Sequence, residues 1–84
     1  MSKITANTIT GGETFMSLQG LTGRKTPYIE IDTTKEFKIP AGTSVIVLEK
    51  PRHYQNCGRC VKFRIVGKPD VYYEFWSDFK KYVK

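Results

Sequence analysis

The sequence predicts one small, mainly β domain, a barrel of about five or six antiparallel strands with a short C-terminal helical turn. Three observations predict it. Arg59-Cys-Val-Lys-Phe-Arg-Ile-Val and Val71-Tyr-Tyr-Glu-Phe alternate with the period of two that a pleated strand imposes. Ser44-Val-Ile-Val-Leu-Glu is the most β-prone run in the chain. Turn formers separate such runs, and 84 residues leave room for a single core.

Taken in order, Thr8-Ile-Thr and Thr14-Phe-Met-Ser flank Gly11-Gly12, a dipeptide suited to a two-residue hairpin turn. A helix over 13–19, with Phe15 and Leu18 on one face, is the alternative. Residues 20–27, with two glycines and a proline, read as a loop. Tyr28-Ile-Glu-Ile-Asp reads as a half-buried strand with Ile29 and Ile31 facing inward. Pro40 and Gly42 reverse the chain into the central strand at 44–49. In the next strand Val61, Phe63 and Ile65 face the core, while Cys60, Lys62 and Arg64 take the other face. The turn Gly67-Lys-Pro-Asp then pairs it with 71–75, where Val71, Tyr73 and Phe75 share a face. Ser77 or Asp78 offers an N-cap for a last helical turn, and Trp76, Phe75, Phe79 and Val83 supply apolar area for the core.

Net charge is +6, and its distribution says more than its total. Residues 1–49 balance Lys3, Arg24, Lys25, Lys35 and Lys38 against Glu13, Glu30, Asp32, Glu36 and Glu49. Residues 50–84 set nine basic side chains against Asp70, Glu74 and Asp78, so the whole excess lies there. Such asymmetry points to a polyanionic partner. At 39% hydrophobic and 13% aromatic residues the chain is rich enough to fold. Its core is small, so a homodimer would add buried area. No signal-peptide apolar block or membrane-length apolar run is present, and two cysteines fit a reducing compartment, so a cytoplasmic protein is expected.

A resemblance follows from the order of these segments. A strand, the turn Ile39-Pro-Ala-Gly-Thr, the strand 45–48, a long polar hairpin, strands at 61–66 and 71–75, and a terminal turn into Tyr82-Val83 together resemble SH3-like barrels over residues 28–84. In those barrels a comparable turn precedes the second strand, and a short 3₁₀ turn ending in an aromatic–valine pair closes the chain. Peptide-binding members carry acidic loops and an aromatic groove for proline. The loops here are basic, which points away from that function.

His53-Tyr-Gln-Asn-Cys57-Gly-Arg-Cys60 could present two thiolates and an imidazole to a metal. Structural zinc takes a full tetrahedral set of protein ligands, which His53, Cys57 and Cys60 do not complete without a carboxylate or a second subunit. The simpler reading is a hairpin with Gly58 at its tip and two reduced cysteines, and no metal or cofactor is expected. A redox Cys-x-x-Cys would open a helix, which this segment does not. Gly20-Leu-Thr-Gly-Arg-Lys-Thr echoes a phosphate-binding loop but lacks its spacing and preceding strand. With one histidine and no legible carboxylate pair, an enzyme is not expected.

The basic second half carries the functional expectation. Arg52, Arg59, Lys62, Arg64, Lys68, Lys80 and Lys81 are candidate phosphate contacts, and Tyr54 and Tyr72 candidate stacking rings, for RNA or single-stranded DNA. The competing expectation is a protein–protein module, an inhibitor or adaptor docking on an acidic host surface, of the sort small viral or accessory genes encode.

Overall fold

A computed structural model describes residues 9–25, 36–54 and 58–84. The described residues form seven antiparallel strands in one sheet and one short helix: β1 (Thr14–Met16), β2 (Thr22–Arg24), β3 (Glu36–Lys38), β4 (Ser44–Val47), β5 (Arg52–Tyr54), β6 (Gly58–Ile65), β7 (Val71–Phe75) and α1 (Trp76–Phe79). The strand expected over 28–32 lies outside them, as does Cys57. No helix among the described residues is long and apolar enough to cross a membrane.

The strand order is β1-β4-β6-β7-β2-β3, with β5 pairing the first half of β6. This sheet is open, which corrects the expectation of a closed barrel of five or six strands. The edge of β1 that closure would need is occupied by the C-terminal residues. Met16 and Lys84 exchange backbone hydrogen bonds at 2.9 Å, Leu18 N donates to Tyr82 O at 2.7 Å, and Ser17 bridges Val83. A ladder on that edge leaves no place for β3.

β6 is the axis of the fold because its alternation is the cleanest. Val61 and Phe63 are fully buried and Ile65 nearly so, and their cross-strand partners Val45, Val47 and Tyr72 complete one apolar face. α1 lies on that face. Phe79 meets Phe63 at 5.3 Å and Phe15 edge-on at 5.9 Å, and Trp76 stacks beside it at 6.4 Å. Trp76, Phe79 and Val83 thus close the core as expected. The helix begins earlier than its polar residues suggest, since Phe75 occupies the N-cap position and no side chain caps it. Burial of Trp76 and Phe79 outweighs the capping preference of Ser77.

Three short segments depart from expectation. Gly11 and Gly12 do take positive φ, yet among the described residues they join no pair of strands, and residues 13–19 make no helix. Gly12 N donates to Val47 O and Val47 N to Glu13 O, so this stretch runs beside β4 as it enters β1. Residues 22–24, expected in a loop, form β2. Its Gly23 is required there, because a Cβ at that position would sit 2.8 Å from Cβ and Cγ of Tyr72. A glycine that admits a neighbouring side chain is a strand feature that apolar periodicity cannot report. The turn at Pro40–Gly42 is stitched to β1 through the buried Ser17. Its Oγ donates to Pro40 O at 2.6 Å and accepts from Thr43 N at 2.9 Å.

Glu13 organises its glycine turn by accepting from Thr10 N, Thr10 Oγ1 and Gly11 N at 2.8–3.1 Å. These bonds, the one from Thr10 N foremost, hold its carboxyl below the ordinary value of 4.5. A lowered folded-state pKa contributes stability above the unfolded value and loses it as pH falls through the folded one. Thermal melts of the parent and Glu13→Gln are therefore expected to differ at neutral pH and to converge as the medium is acidified below the carboxylate range. A gap independent of pH would show that the charge plays no part.

Candidate nucleic-acid interface

Residues directly opposite one another in an antiparallel ladder share a face. On the face of the sheet away from the core, Cys60 lies between Arg52 and Phe75, Lys62 is opposite Tyr73, and Arg64 lies between Ile46 and Val71. The cations Arg52, Lys62 and Arg64 therefore run along β5 and β6, beside a column of Val71, Tyr73 and Phe75 on β7. Lys62 and Arg64 come to this face for the reason Val61, Phe63 and Ile65 leave it: the pleat alternates.

Among the described residues the ion pairs fall on cations other than Lys62 and Arg64. Arg24 pairs with Glu36 at 2.7 Å and with Glu74 at 2.9 Å, Lys25 with Asp70 at 3.6 Å, and Arg52 with Glu49 at 3.5 Å. Lys62 and Arg64 have no carboxylate partner there, and Arg64 makes only a 3.4 Å contact from Nη1 to Lys68 O. Two half-buried, unneutralised charges side by side raise the local potential more than scattered surface lysines do. Lys68, exposed in the turn after β6, extends the strip beyond Arg64.

Tyr54 reaches across β6 to meet Tyr73 edge-to-face, with ring centroids 6.1 Å apart. The crossing pair explains why Cys60, on the outer face, is only 3% exposed. Burial pushes the Tyr54 phenol above its ordinary value, with the neighbouring Tyr73 adding to the shift. The Arg24 guanidinium lies 4.9 Å from the centroid of the Phe75 ring and occupies one face of it. Tyr73 is left as the central ring of the strip.

The remaining candidates are dispersed. Arg59 is opposite His53 and so projects from the other face of the β5–β6 hairpin. Lys80 and Lys81 follow α1, which packs on the core face, so they lie on the reverse of the molecule. Tyr72 is corrected outright: it is a core residue, 6% exposed, stacked on Phe37 at 5.4 Å and tilted against Phe63 at 6.0 Å. Phe75, assigned to the core from sequence, is half-buried on the outer face. Arg52, Lys62, Arg64, Lys68 and Tyr54 are thus brought together, joined by Tyr73. His53 and Cys60 point to opposite faces and do not converge on a common ligand.

Glu49 is the strip's one internal brake, because its carboxylate competes for Arg52. Glu49→Gln is expected to tighten the binding of a polyanion several-fold at low salt, measured by fluorescence anisotropy. Weaker binding would show that Arg52 is not a contact.

Compared with known proteins, the chain matches no family model, no curated protein and no solved structure.

Proposed function

We propose that this protein binds RNA or single-stranded DNA, without catalysing a reaction on it, through the outer face of β5, β6 and β7. The observation that carries the reading is the adjacency of Lys62 and Arg64, which lack carboxylate partners among the described residues, to Tyr73 and Tyr54. Cations neutralise phosphates and release their counterions, while flat rings accept bases of any identity. Arg52 and Lys68 extend the charged track, and Arg59, Lys80 and Lys81 contribute to the surrounding field. The test is a salt titration of binding to a mixed RNA oligonucleotide. The logarithm of the association constant should fall linearly with the logarithm of salt concentration, and absence of binding at low salt overturns the proposal.

The SH3-like comparison is proposed alongside it at the level of architecture. Support comes from the helical turn α1 leading into Val83, which pairs beside β1, and from the Pro40–Gly42 turn before β4. A second reading, docking on an acidic protein surface, draws on the same cations and on the exposed Met16, Phe37 and Val66. Pull-down with and without nuclease separates the two, because a partner tethered through nucleic acid is lost on digestion.

A further inference from the structure

Resting on that reading, we infer that the ligand is an unpaired segment of about three nucleotides lying along β6, its phosphates over Arg64, Lys62 and Arg52 and its bases over β7. The two columns of the outer face differ in chemistry. The outer face of β6 carries the cations Lys62 and Arg64, with Arg52 beside it on β5 opposite Cys60, and the β7 column, Val71, Tyr73 and Phe75, is apolar and aromatic. Successive same-face residues on a strand are about 6.7 Å apart, from a rise of roughly 3.3–3.4 Å per residue. Nucleotides in a duplex advance about 3.4 Å each along the helix axis, and the winding sugar–phosphate chain sets consecutive phosphates farther apart than that rise. Lys62 and Arg64 are therefore far enough apart to meet two consecutive phosphates of one strand.

Adjacent strands lie about 4.8 Å apart, which sets the bases directly beside the phosphate track, on β7. Tyr73 is opposite Lys62, so the base attached at the middle phosphate meets its ring. The Phe75 ring already carries Arg24 on one face, and Tyr54 meets Tyr73 edge-to-face, so one stacked base is the natural occupancy. A duplex turns its bases inward and could offer β7 nothing but backbone. With the strip's cations assigned to phosphates, which carry no sequence information, binding is expected to be indifferent to sequence.

The experiment is anisotropy with the intact chain at low salt, comparing a labelled single-stranded DNA, the same length built of abasic sites, and a duplex. The single strand should bind about 10-fold or more tightly than the abasic strand, because one stacked base is worth roughly that factor. The duplex should bind no better than the abasic strand. Affinity should cease to rise steeply beyond about four nucleotides, and the salt slope should be near −2, about −0.7 for each of roughly three phosphates. Tyr73→Phe should keep the preference for bases and Tyr73→Leu should lose it, with melting curves confirming that both fold. Equal binding of the abasic, duplex and single-stranded ligands overturns this inference while leaving polyanion binding intact. No binding of any of them overturns the proposed function itself.

Discussion

Arg24→Ala is expected to cost the fold about 3–5 kcal/mol, the range for removing one partner of a buried ion pair and leaving the other charge uncompensated. Glu74 is 3% exposed, and its carboxylate accepts from Thr22 Oγ1 at 2.7 Å, Arg24 Nη1 at 2.9 Å and Phe75 N at 2.8 Å. With arginine gone, the remaining donors are neutral, and the buried carboxylate loses its counter-charge. The loss falls where the fold can least absorb it, since Arg24 also bonds Glu36 of β3 and so joins β7 to the outer hairpin. Urea unfolding measures the effect. Glu36→Gln is the control: its carboxylate is 40% exposed, and its loss should cost under about 1 kcal/mol. Equal costs for the two substitutions would show that the arginine acts through general surface charge.

The second large effect concerns binding. Reversing both central charges, Lys62→Glu with Arg64→Glu, should weaken binding to a single-stranded oligonucleotide at least about 25-fold at low salt. Two unit charges about 4 Å apart interact by about 1 kcal/mol in water, and the double reversal changes charge by about four units. Even halved by screening, that is about 2 kcal/mol, and about 1.4 kcal/mol is tenfold. Both side chains point away from the core, so the melting temperature should move little. Lys80→Glu with Lys81→Glu makes the same change in net charge on the reverse of the molecule. If that pair weakens binding equally, the contact is diffuse and the strip is not its site.

The central architecture was legible in the sequence because β4, β6 and β7 are built by alternation and β-branched residues, both local in the chain. The placement of Lys62 and Arg64 opposite the core followed from the same alternation. The features that are not legible are set by residues distant in the chain. β2 exists because Gly23 admits Tyr72, and the sheet stays open because residues 82–84 reach the edge of β1. Tyr72 reads as a surface ring and Phe75 as core because a strand with aromatics on both faces has no clear apolar side. The missing signal was in the hairpin: pairing Arg64 with Val71 across the Gly67–Asp70 turn sets Tyr73 opposite Lys62 and Tyr72 opposite Phe63.

β6 bonds to β4, β5 and β7 at once, and consecutive residues along it serve opposite sides of the sheet. Its length is consequently fixed more tightly than its composition. Substituting leucine for isoleucine, or arginine for lysine, changes one site. Inserting or deleting a single residue in the middle of the strand would exchange the two sides from that point onward, sending a cation into the core and an aliphatic side chain into solvent. The chain cannot absorb a length change between Val61 and Ile65.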